Sequence, residues 1–268
     1  MKRWWFAFAA AAVATFCLGP LVWQVFTSLR PESEFGRAGL PRSLTLASYV
    51  AAFHGRPFAR EIANSMLVAA GTTSVSLAVG GCAAFAIARL EFRGRNLLLA
   101  TTLAVSMFPP IATVSPLYLL LRTLGLRNVA AGLILPYTTF SLPLTIWLLT
   151  SFFREIPEEL YRAARVDGCT PFQAFRRVIL PLAGPGLAST AILVFIAAWN
   201  EFLYALTFLS SPAQQTIPVA ISLFSAEHKE PWGEIAAASV IAMLPLVVIT
   251  MLFQRRIVAG LTAGAVKG

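Results

Sequence analysis

The chain has 268 residues, of which 57% are hydrophobic and 12% charged, with a mean hydropathy of +0.73. A soluble domain carries about twice that share of charge, so a water-soluble globular fold is excluded and an all-α, polytopic membrane protein is predicted. The formal net charge is +9, yet the basic residues are scattered between hydrophobic blocks rather than gathered in one patch, so they mark membrane orientation and not a nucleic-acid surface.

Lys2 and Arg3 open the chain, and no charge follows from Trp4 to Leu29. That run exceeds the apolar core of a signal peptide, which is about 7–15 residues, and reads as an uncleaved first span with Trp4 and Trp5 at the interface. Residues 30–63 form a polar loop carrying arginines, glutamates and prolines. The second span, 64–88, shows a small-residue face at Gly80, Gly81, Ala83 and Ala84, which lets helices approach closely in lipid. A short basic loop, RLEFRGR, leads into a third span at 96–121 that holds Pro109, Pro110 and Pro116. Prolines there leave carbonyls unpaired, either at a simple kink or along a solute path. A turn at 122–128 precedes the fourth span, 129–153, whose Pro136-Tyr137-Thr138-Thr139 segment with Ser141 is unusually polar. Such hydroxyls bond to their own helix backbone or to a solute.

Between this span and the next lies Ile156–Pro181, dense in charges of both signs, and its pattern predicts two amphipathic helices joined by a turn. Pro157 suits a helix start, Glu158 and Glu159 favour its first turn, and Gly168 ends it with positive φ. Thr170-Pro171 restarts the chain with a cap and a first-turn proline. Phe172, Phe175, Val178 and Ile179 then form an apolar stripe that solvation does not explain, so the hairpin is expected to dock a partner. The fifth span is expected at 182–209, interrupted early by Pro185-Gly186, and Glu201 is the acidic residue it places within a membrane segment. A loop at 210–234 is apolar enough in its middle to fold against something, and the sixth span, 235–253, leads to a tail at 254–268. Six spans put both termini on one side. The lysines and arginines of the N-terminus, 89–95, 154–180 and the tail outnumber those of the opposite loops, which assigns both termini to the cytoplasm.

Cys17, Cys82 and Cys169 have no metal spacing and share no compartment, while His54 and His228 stand alone in polar loops. No nucleophile and base pair and no phosphate-binding G-x-x-x-x-G-K-[ST] loop is present, so neither covalent chemistry nor ATP binding is expected of this chain, and no metal or cofactor site is assigned. No internal repeat or midplane ion-coupling group supports a stand-alone secondary transporter, which stays as the weaker alternative.

Arg162-Ala163-Ala164, Asp167-Gly168 and Pro181 resemble the "EAA" loop of bacterial ABC importer permeases, although Arg162 stands where the family has glutamate. LPYTTFSLPL at 135–144, WNEFLYAL at 199–206 and the tail QRRIVAGLTAGAVKG extend the likeness over most of the chain, which is similar to the second permease of carbohydrate importers of the maltose and trehalose type. The resemblance implies residues 1–60 as a first helix and external loop, 61–253 as the ABC type-1 transmembrane domain and 254–268 as a cytoplasmic tail. It further implies a heterodimer with a second permease, two ATPase subunits that bind ATP and magnesium, and an external solute-binding protein. The docking residues would be Arg162, Ala163, Ala164, Asp167, Gly168, Phe172, Phe175 and Pro181. The substrate it implies is an α-linked glucose disaccharide, with another sugar or polyol as the alternative. Tyr137, Thr138, Asn200, Glu201 and Tyr204 are the expected path residues, because a sugar needs hydrogen-bonding partners and aromatic faces. Asn200 and Tyr204 are four apart and predicted to share one helix face, with Glu201 turned about 100° away to brace a neighbouring helix.

Overall fold

The computed structural model describes residues 2–35, 39, 41–54, 56–224 and 230–263, with side chains for those between 4 and 253; His228 lies outside the described residues. The α-helices follow in order as α1 (Lys2–Ser28), α2 (Ala47–Phe53), α3 (Phe58–Arg89), α4 (Arg95–Ser106), α5 (Pro110–Thr123), α6 (Ile134–Glu155), α7 (Glu158–Val166), α8 (Pro171–Ala174), α9 (Leu180–Leu182), α10 (Gly184–Trp199), α11 (Leu203–Phe208), α12 (Ile217–Ser222) and α13 (Trp232–Ala263). Among the described residues four helical stretches are long and apolar enough to cross a bilayer, or up to six when each of two bent pairs counts as one span. The all-α, six-span architecture read from the sequence is therefore the one observed.

α3, α6 and α10 form the packed centre, with α13 against α10 and α1 against α13. The predicted small-residue face explains how α3 and α6 come together. A Cβ added at Gly80 would stand 2.6 Å from Thr145 Cγ2, so only a bare Cα permits this approach, and Ala84 beside it is fully buried. α1 is a single apolar rod whose large side chains, Trp4, Trp5, Phe8 and Phe16 among them, are exposed, as expected of a surface in contact with lipid or another membrane helix.

Three expectations are corrected. The third span is not one helix: α4 and α5 meet at 94° across Met107–Pro109, because consecutive prolines at 109 and 110 remove two backbone donors and bias the preceding residues away from helix. The fifth span ends as a helix at Trp199, and residues 200–202 break it before α11 begins. Glu61 is not in a polar loop but in the first turn of α3, where it is 3% exposed.

The loop after α11 folds inward as its apolar middle predicts. Ile217, Val219 and Phe224 are buried, and Phe224 packs edge-on to Phe58 while Arg56 stacks over its ring at 4.2 Å. Asn128 adopts φ 58°, and its Oδ1 accepts the N–H groups of Ser210 and Ser211 at 2.9 Å each, tying the turn before α6 to the end of α11.

Candidate functional site

Two regions carry chemistry beyond packing. The first is a cleft of about 570 Å³ between α4–α5, α6 and α10–α11, lined by Ser106, Phe108, Pro110, Tyr137, Phe140, Ser141, Leu144, Ala197, Asn200, Glu201, Phe202 and Tyr204 among others. Aromatic rings and scattered polar groups without a basic residue describe its chemistry. Tyr137 is 3% exposed, and its hydroxyl is set toward the Glu201 carboxylate.

Glu201 owes its position to the helix break. Its Oε1 accepts the Tyr204 N–H at 3.0 Å and its Oε2 the Ala205 N–H at 3.3 Å, so the carboxylate caps the first turn of α11, where the helix dipole favours an anion. It braces a helix, as predicted, but the helix is its own continuation rather than a neighbour. Asn200 stays exposed on the cleft, with Nδ2 donating to the Ile196 carbonyl at 2.9 Å and its amide oxygen left open. The shared face predicted for Asn200 and Tyr204 does not exist, because the break separates them. Tyr204 is instead buried: it stacks on Phe140 with ring centroids 5.2 Å apart, its hydroxyl donates to the Pro110 carbonyl at 3.1 Å, and it pairs with the Thr113 hydroxyl at 2.7 Å. Thr138 is buried with an unpaired hydroxyl and is not among the lining residues.

Ser106, Phe108, Phe140 and Phe202 join the cleft without having been singled out from the sequence. The prolines at 109 and 110 are the signal that places the first two; nothing local marks Phe140. In a background lacking the three native cysteines, a cysteine at 200 is expected to react readily with a water-soluble thiol reagent, while cysteines at 204 and 206 react slowly, the first buried and the second on the outer surface of α11. Equal rates at 200 and 206 would remove Asn200 from the cleft.

The second region is the hairpin α7–α8. Gly168 has φ +86°, as its position after α7 predicts, and Thr170 makes a capping box with Gln173: Thr170 Oγ1 accepts the Gln173 N–H, and Gln173 Oε1 accepts the Thr170 N–H. Arg162 forms an i,i+4 pair with Glu158 at 2.8 Å. Ala163, Asp167 and Pro181 are exposed, and Ala164 is buried. Phe175 is corrected: it is 6% exposed and faces its own chain, 4.8 Å from the Phe85 ring and 6.0 Å from Phe153. An amphipathic stripe does not say which partner it faces, and here the inner half covers the ends of α3 and α6. The most outward apolar groups are Val166, 87% exposed, and Phe172, 63% exposed, with Leu160 at 42%.

A helical bundle with broken spans around a largely apolar cleft that carries a few polar groups is the architecture of a membrane permease. The chain belongs to the family of binding-protein-dependent transport system inner membrane components, the permease subunits of ABC importers, whose pattern it matches over residues 76–263. It is 48% identical over 259 residues to the trehalose transport system permease protein SugB of Mycobacterium tuberculosis, covering 96% of this chain and 94% of that one. It is 42% identical to the sulfoquinovosyl glycerol transport system permease SmoH of Agrobacterium fabrum, covering 97% and 92%. Identity to the trehalose/maltose transport system permease MalG of Thermococcus litoralis is 40%, covering 100% and 98%. The same fold occurs in the crystal structure of a bacterial ABC transporter that imports alginate, with a TM-score of 0.78 at 22% identity, covering 95% of this chain and 96% of that one.

Proposed function

We propose that this chain and a second permease form the path of an ATP-driven importer for a neutral disaccharide of the trehalose or maltose type. The observation that carries the reading is near full-length identity of 48% and 40% to trehalose and trehalose/maltose permeases, joined to a cleft whose wall is aromatic and hydroxyl-bearing. Stacking of C–H faces on Phe108, Phe140 and Phe202, with hydrogen bonds to Asn200, Ser141 and Tyr137, suits a sugar entering from water. The 42% identity to the sulfoquinovosyl glycerol permease offers an anionic glycoside as a second substrate, but the described lining residues include no cation to receive a sulfonate, and the neutral sugar is favoured.

In this reading an external solute-binding protein delivers the sugar. One of two ATPases docks on the α7–α8 hairpin through Val166, Phe172, Ala163, Asp167 and Gly168, and the termini lie in the cytoplasm with it. The chain itself performs no covalent step; it converts ATPase closure into alternating access. Competition of a disaccharide panel against labelled trehalose for uptake by the assembled complex tests the substrate. Strong competition by maltose and trehalose is expected, and competition only by sulfonated or acidic glycosides would replace the neutral sugar.

α13 continues to Ala263, and in this reading its end lies on the cytoplasmic side with the hairpin. Deleting residues 260–268 is expected to change sugar-stimulated ATP hydrolysis by about twofold or more while leaving assembly intact, as a terminus in contact with the ATPases would require. Unchanged stimulation would make the tail inert.

A further inference from the structure

α3 is fastened at one end to the α7–α8 hairpin and at the other to the 213–217 segment. In its last turn Arg89 donates through Nη2 to the carbonyl oxygens of Phe153 and Ile156, at the end of α6 and the entry to α7. Those carbonyls have no intrahelical partner, and a guanidinium there also meets the negative end of the helix dipole. One turn earlier, Phe85 touches both arms of the hairpin, 5.9 Å from the Tyr161 ring of α7 and 4.8 Å from the Phe175 ring after α8. At the opposite end, Asn64 Nδ2 donates to the carbonyls of Ala213 and Gln215 at 3.1 and 3.0 Å, and Ser65 Oγ accepts the Ile217 N–H at 2.8 Å. The helix between is continuous and free of proline, and 24 residues at 1.5 Å each span about 36 Å.

We propose that α3 is a strut through which the hairpin and the 213–217 segment move together, and that Arg89, Phe85, Asn64 and Ser65 are the positioning residues that fasten it. This rests on the hairpin being the ATPase site. A stiff helix gripped at each end passes displacement along its axis, and linkage requires the coupling to be reciprocal: displacement of the 213–217 segment, here by the loaded solute-binding protein, biases the ATPase as much as the ATPase biases that end.

The test uses the complete transporter in nanodiscs with its solute-binding protein loaded with trehalose. In Arg89→Ala, ATPase recovery and unstimulated hydrolysis are expected to stay within about twofold of the parent, while stimulation by the loaded binding protein falls about tenfold. Arg89→Lys, still able to donate to one carbonyl, should recover part of it. Asn64→Ala should lower stimulation similarly, and the double variant should be no worse than either single one, because both cut the same link. Full stimulation in Arg89→Ala overturns the strut, as do additive losses in the double variant. Loss of the ATPase from Arg89→Ala as complete as from Gly168→Val also overturns it, since Arg89 would then only build the hairpin. The docking reading fails separately, if Gly168→Val keeps its full complement of ATPase.

Discussion

Gly168→Val is expected to leave the chain inserted in the membrane and to reduce ATPase recovery about tenfold or more. Gly168 sits at φ +86°, and a Cβ placed there would meet nothing within 4 Å, so the cost is backbone strain alone and not a clash. A non-glycine residue in the left-handed region costs roughly 1–2 kcal/mol, more for a β-branched one, and 1.4 kcal/mol is about a tenfold change in an equilibrium. The strain is relieved by rotating the junction between α7 and α8, which moves Val166 and Phe172 relative to one another. Asparagine tolerates this conformation, so Gly168→Asn should recover most of the ATPase. A pull-down with detergent-extracted complexes checks both variants. Equal recovery from valine, asparagine and parent would separate the junction from docking.

Tyr204→Ala is expected to destabilise the chain by about 3–5 kcal/mol, the range for truncating a buried aromatic side chain, and to abolish transport. The ring stacks on Phe140, and its hydroxyl holds Pro110 and Thr113 at the start of α5. Removing it frees the half of the broken α4–α5 span that shapes the cleft. Tyr204→Phe retains the stack and loses the hydroxyl contacts, leaving the Thr113 hydroxyl its bond to the Pro110 carbonyl, so a smaller loss of about 1 kcal/mol is expected. Thermal unfolding of the detergent-solubilised chain, followed by tryptophan fluorescence, ranks the variants. A Tyr204→Ala chain as stable as Tyr204→Phe would show that α11 does not brace α5.

Where the chain carries a strong local signal, sequence and structure agree. Thr170-Pro171 caps and opens a helix because the hydroxyl and the missing N–H act within one turn, and Gly168 reads as a helix end for the same local reason. The presence of the apolar spans and the small-residue face of α3 follow from bilayer thickness and side-chain size. The helix break at 200–202 was not legible, since Trp199-Asn200-Glu201-Phe202 contains neither glycine nor proline, and what stabilises the restart is a carboxylate reaching backbone groups of α11. The fate of Phe175 was not legible either. Its spacing with Phe172 predicts a stripe, but only the tertiary position of Phe85 and Phe153 determines that one ring turns inward while the other stays out. Arg89 looked like one member of a basic loop, because its carbonyl partners are more than sixty residues away in sequence.

The most direct measurement is uptake of labelled trehalose by proteoliposomes that contain this chain, its companion permease and the ATPases, supplied with the solute-binding protein on one side and ATP on the other. ATP-dependent accumulation is predicted, lost when the ATPases are catalytically inactive and lost again with Gly168→Val in this chain. Accumulation that persists without ATP and follows an imposed ion gradient would contradict the account.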